Sequence, residues 1–325
     1  QPPGNEGQLY SSVFSNGKPP NYVPDKSIGI GFKAGVTIGM VGKEDAFNAD
    51  VGLEVQFNSP DAGGGLSLIK FTGDCFLMTS IQDRQGKKYT EVPVGASIGI
   101  SYDFNNKIFH ANMEVAINYS SISGKVTTVL HFEQKEWYVY IGTPSNRGYV
   151  NVIGINLSSY FMVGNKIEPM PDLPGPVAEA FGKPNNRDES LTTSAKGFAV
   201  GASLEYYAGG SMGWDFFEAY GDLSVLVGFD VMMQKYGSSY PCGLKGWYLR
   251  GQLYAYARGS VGIRGSFKVK KFDCKIADIS ASAILYGELP SPTFMEGSVK
   301  AHYDILGGLV NGDLDFHFET GNRCG

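Results

Sequence analysis

The chain has no uninterrupted apolar run long enough for a membrane-crossing helix, which takes about 18 residues or more, so the sequence predicts no transmembrane helix. It has no C-x-x-C pair among Cys75, Cys242, Cys274 and Cys324, which removes the zinc-ribbon class. Histidine is scarce, at four residues, and neither a G-x-S-x-G elbow nor an H-E-x-x-H motif occurs. Carboxylates are scattered, with no pair marked by sequence as an acid and a base. The expectation is a chain that is not an enzyme and carries no cofactor. Basic character is lacking too. Net charge is −5, and no Lys or Arg run exceeds Lys268–Lys271, whereas nucleic-acid binding needs a basic face. A starting Met and a signal peptide are also missing. The opening "QPPGNEG" reads as part of a longer, processed polypeptide.

Glycine, at 44 residues, and Phe plus Tyr, at 20 and 19, are plentiful. "GIGFKAGVTIGM", Gly29–Met40, looks at first like a phosphate loop. A P-loop ending at Lys43 would need glycine where Thr37 stands. Read two residues at a time, Ile30, Phe32, Ala34, Val36, Ile38 and Met40 share one face, opposite Gly29, Gly31, Lys33, Gly35, Thr37 and Gly39. Side chains alternate across a strand, so this is a strand, its glycines serving close approach by another layer, or twist and bending. The same period recurs along the chain. "DFNNK" turns one long strand directly into the next, a hairpin signal.

The fold class expected is all-β, with about fifteen mostly antiparallel long strands in large packed sheets, sandwich-like or barrel-like. The pattern breaks at "GNKIEPMPDLPGP", where "PVAEAFGK" makes about two helical turns, Pro176 suiting the first turn and Gly182 the stop. The organisation expected is an extended lead-in over 1–26, a β region over 27–163, a Pro-rich connector with a short helix over 164–196, and a second β region over 197–325. At least one disulfide is expected among Cys242, Cys274 and Cys324.

Two clusters invite weighing. His302, Asp304, Asp315 and His317 converge as weak metal-ligand candidates if residues 307–312 close the last hairpin; an Asn311-Gly312 turn disperses them. His110 and His131 read as ordinary polar residues of a strand face. Tyr248, Arg250, Gln252, Tyr254, Tyr256 and Arg258 share one face of a long strand. Tyr and Arg are types enriched where proteins meet proteins or glycans, so Tyr248, Arg250, Tyr254, Tyr256 and Arg258 are the partner-binding candidates.

The stretches "EWYVYIGTPSNRGYVNVIGINLSSYFMVG" and "ILYGELPSPTFMEGSVKAHYDILGGLVNGDLDFHF" resemble parts of large uncharacterised secreted or cell-surface proteins of Bacteroidota. That resemblance implies export, a location outside the cell or at its surface, and other domains of a larger polypeptide or a surface assembly as partners. The function expected first is a non-enzymatic scaffold or contact module. An outer-membrane β-barrel comes second, since strands of about 10 residues with one apolar face are its signature, and Phe109 and Tyr119 lie where two aromatic girdles would. A carrier of a lipid or other apolar ligand comes third.

Overall fold

A computed structural model describes residues 28–182, 195–214, 217–236, 242–267 and 270–324. The expected lead-in lies outside them, as does most of the polar loop after the helix. The described residues form fifteen strands and one α-helix, as the alternation predicts. They fall into two compact units that meet at Ile141/Gly142, not at the Pro-rich connector.

The first unit is a meander of β1 (Ile28–Gly39), β2 (Phe47–Asn58), β3 (Leu66–Leu77), β4 (Val94–Asp103), β5 (Ile108–Tyr119), β6 (Ile122–Phe132) and β7 (Trp137–Ile141). Each strand pairs antiparallel with the next. Local chemistry fixes the β4–β5 turn anticipated at "DFNNK": Asp103 Oδ1 accepts from the backbone N–H of Asn105 and Asn106 at 2.8 and 2.9 Å.

The second unit contains β8 (Gly148–Val152), β9 (Ile155–Ile167), β10 (Ala195–Trp214), β11 (Phe217–Lys235), β12 (Trp247–Phe267), β13 (Lys270–Leu289), β14 (Phe294–Ile305) and β15 (Val310–Gly321). Here too sequential neighbours pair antiparallel. Between β9 and β10 lies α1 (Gly175–Phe181), with Pro at its start and Gly182 left-handed at φ 64° as its stop, where the sequence puts both. The connector does not separate two β regions. It folds back onto the sheet of its own unit, so the boundary falls earlier.

Register turns period 2 into rows that cross each unit. In the first, Phe32, Val55, Ile69, Tyr102, Phe109, Phe132 and Trp137 are successive cross-strand partners on one face. One residue along, Lys33, Glu54, Lys70, Ser101, His110, His131 and Tyr138 form the matching row on the other face. In the second unit Leu157, Leu204, Val227, Ala255, Ala283, Val299 and Phe316 make an apolar row across β9–β15.

The burial of these faces is inverted relative to a water-soluble sheet. Apolar residues are open, with Phe32 60%, Leu253 51% and Val227 48% exposed, while Asp230 is 0% and Gln234 2% exposed on the opposite face. A soluble antiparallel sheet hides its apolar face.

The glycines have a use the sequence only half disclosed. A Cβ at Gly201 would overlap the Tyr160 ring and the Asp230 carboxylate, and one at Gly228 would overlap the Tyr254 ring. Tyr220 lies likewise over Gly262, Phe318 over Gly297 and Tyr303 over Gly312. Each pair is a direct cross-strand pair, so the aromatic ring covers the bare backbone beside it.

Candidate functional site: the covered polar faces

In each unit a non-strand segment lies over the polar face. In the first it is the β3–β4 loop. Arg84 grips both oxygens of Asp50 at 2.5 and 2.7 Å and sits 4.3 Å above the Phe76 ring. Further along, the Tyr89 hydroxyl donates to Glu114 Oε1 at 2.7 Å. Burial, followed by the Glu114 carboxylate, pushes the Tyr89 phenol up, so it stays a neutral donor. Glu114 also pairs with Lys125 at 2.8 Å.

In the second unit the cover is the connector with α1. Leu173 and Val177 pack on Leu226, Tyr254 and Ile284, with Ala178, Phe181 and Tyr256 around them. Leu226 and Ile284 are apolar residues on the face that carries Asp230, Gln234 and Glu288, and the helix packs on them. Burying Leu173 and Val177 contributes roughly 1.5–3 kcal/mol each. Beside the helix, Gln252 Nε2 donates to Pro171 O at 3.1 Å and to Asp230 Oδ2 at 2.9 Å. Arg147, from the loop before β8, donates to Asp230 Oδ1 at 2.6 Å, its guanidinium 5.0 Å from the Tyr160 ring centroid. A carboxylate fully removed from water needs such a partner.

The Tyr/Arg face expected to meet a partner is this covered face. Tyr248 is 1% and Tyr254 3% exposed. Tyr248 and Tyr286 each donate to Glu288, both at 2.6 Å. Arg250 is buried and donates to Gln234 at 3.1 Å and Tyr236 at 2.9 Å. Tyr256 rests on the helix cluster, and Arg258 forks onto Asp278 at 3.1 and 2.8 Å. Tyr254 and Tyr256 lie under the connector, and Tyr248 and Arg250 are buried among Glu288, Gln234 and Tyr236, while the Arg258 side chain stays 43% exposed, so an open Tyr/Arg contact surface is not formed along this face.

The last hairpin disperses the metal-ligand candidates. Leu306, Gly307 and Gly308 all take positive φ, and Asp304 Oδ1 accepts from Gly308 N–H at 2.6 Å. This tight turn pairs Ile305 with Val310, a register different from both considered above. His302 therefore meets Asp313 at 2.8 Å, His317 meets Ser298 at 2.8 Å, and Asp315 meets Lys300 at 3.8 Å. Among the described residues no group of three or more His, Cys, Asp or Glu is placed to hold a metal ion.

Two constellations were missed by sequence reasoning. Arg147 and Asp230 are 83 residues apart, and nothing local marks them as partners. His110 and His131, read as ordinary polar residues of a strand face, are direct cross-strand neighbours. The short connection from Tyr119 to Ile122 was the available signal, since that register opposes them.

Cys242 and Cys324 form a disulfide, in line with the expectation for the C-terminal cysteines, while Cys75 and Cys274 are free thiols. No helix among the described residues is long and apolar enough to cross a membrane, which leaves crossing by strands open. Comparison of the chain with protein-family models, with curated proteins and with solved structures returns no match.

Proposed function

We propose that the chain is a membrane-embedded β-sheet protein of the outer-membrane barrel kind, a transport or anchoring component whose apolar faces meet lipid. The inversion of burial carries this reading. Hydrocarbon, unlike water, favours an exposed face of Leu, Val, Ile and Phe, and antiparallel ladders satisfy the backbone inside it.

Details of the apolar faces support it. At the register-paired apolar positions of β1–β7 no Asp, Glu, Lys or Arg occurs. In β8–β15, among described side chains at such positions, the charged exceptions are Lys196 and Lys235, opposite one another at the end of the β10–β11 pair, with Lys235 5.9 Å from the Trp247 ring centroid. A lysine with a tryptophan at a strand end suits the membrane–water boundary. Tyr102, Phe109, Phe132 and Trp137 form an aromatic row over four strands. Tyr119 lies ten residues along β5 from Phe109. At about 3.4 Å per residue and a tilt near 40°, that spacing spans roughly 26 Å, close to the height of an outer-membrane apolar band. The resemblance to surface proteins of Bacteroidota accords with such a location.

All three tryptophans, Trp137, Trp214 and Trp247, stand on apolar faces. Reconstitution into vesicles containing brominated lipid should therefore quench most of the tryptophan emission. A chain that stays monodisperse without detergent and keeps its emission in such vesicles is not a membrane protein. Leu253→Arg gives an energetic check. Position 253 is 51% exposed, so the change is nearly neutral if water covers it. In lipid it should cost about 2–4 kcal/mol near the midplane, read as a lowered urea midpoint in vesicles.

A further inference from the structure

We infer that His110 and His131 form a two-histidine site for a divalent transition-metal ion of the imidazole-preferring class, such as Cu2+ or Zn2+. The two residues are opposite one another on β5 and β6, on the polar face of the first unit. Their Nδ1 atoms are 3.3 Å apart, with the rings inclined at 65°. Two nitrogens bound at 2.0–2.1 Å to one tetrahedral ion are separated by about 3.3–3.4 Å, the edge of that tetrahedron. The nitrogen separation therefore matches the bite of a chelate.

The surroundings add what a ligating imidazole ordinarily has. His131 Nε2 lies 3.5 Å from Glu133 Oε2, within ion-pair distance, which places a carboxylate beside the ring nitrogen that does not face His110. Tyr138 stacks on the His131 ring at 4.9 Å, and Tyr140 stacks on Tyr138 at 4.4 Å, which restrains the ring from the other side. With two protein ligands, the remaining coordination positions go to water or to a small donor from solution. Imidazole donors select Cu2+, Zn2+ or Ni2+ over Mg2+ and Ca2+. His302 and His317, by contrast, are held by Asp313 and Ser298 and offer no such pair. The site stands whichever medium covers the apolar face.

The test uses the full-length untagged chain, stripped of metal and kept in the form in which it purifies, in detergent if it requires it. Titration with Cu2+ should saturate at one ion per chain, and electron paramagnetic resonance should report two equivalent nitrogen donors. His110→Gln and His131→Gln should each abolish that two-nitrogen signal, Glu133→Gln should weaken binding roughly tenfold, and the double change His302→Gln/His317→Gln should leave it unaltered. The wild-type spectrum needs no variant to fold. If the wild-type chain shows no saturable binding, the rings share only a proton and the site does not exist. Saturable binding with fewer than two nitrogens, or a two-nitrogen signal that survives both single changes, overturns it equally.

Discussion

Removing the Cys242–Cys324 disulfide should lower the unfolding free energy by about 4–5 kcal/mol, less any strain released. The bridge spans 82 residues and ties the β11–β12 connection to the tail after β15. By the chain-entropy estimate, a loop of that length loses much freedom in the unfolded state when closed. Neighbouring contacts hold the same end of the unit: Gly243 N–H donates to Ser291 O at 2.8 Å, and Arg323 sits 4.4 Å above the Phe294 ring. Those contacts remain after reduction, so folding should survive with a lower denaturant midpoint. Cys242→Ser and reductant should give the same shift, whereas Cys75→Ser and Cys274→Ser should leave the midpoint within error. An unchanged midpoint on reduction would show that the unfolded chain gains no freedom when the bridge opens.

Asp230→Ala should be destabilising by about 3–5 kcal/mol, because it strands a cation away from water. Asp230 is 0% exposed and receives hydrogen bonds from Arg147 and Gln252. Its loss leaves Arg147 beside the Tyr160 ring with no carboxylate and Gln252 with one partner fewer. The double change Arg147→Leu/Asp230→Leu removes both charges together. It should cost less than Asp230→Ala alone, although each change touches the same buried cluster. The measurement is a double-mutant cycle by denaturant unfolding. Additive costs would mean that the two charges are independently solvated, contrary to their burial.

How much was legible follows the range of the forces involved. The strands were readable because alternation is a property of neighbouring residues: Ile98 and Ile100 against Ser97 and Gly99 need no tertiary information. The β4–β5 turn and the ends of α1 were readable for the same reason, Asp103 capping its own turn and Gly182 supplying a left-handed stop. The last hairpin was not. Its register depended on three successive positive-φ residues beginning at Leu306, a conformation that a non-glycine residue rarely takes and that alternation does not report. The ionic partners of the polar face were equally hidden. Arg84 reaches Asp50 across 34 residues and Arg147 reaches Asp230 across 83, distances at which a sequence carries no pairing signal.

By itself, then, the sequence determined that this chain is all-β, that each strand has one apolar and one polar or bare face, and that one short helix interrupts the series. Those are local consequences of stereochemistry and solvation. Which face is covered was decided only in three dimensions. Period 2 is symmetric between a sheet that buries its apolar side and one that exposes it, so Tyr248, Arg250 and Tyr254 read equally well as an outward contact surface. The choice was made by the connector, whose Leu173 and Val177 found Leu226 and Ile284, and by Arg147 finding Asp230. In the second unit, a few contacts between residues far apart in the chain cover the polar face, and local alternation does not report them.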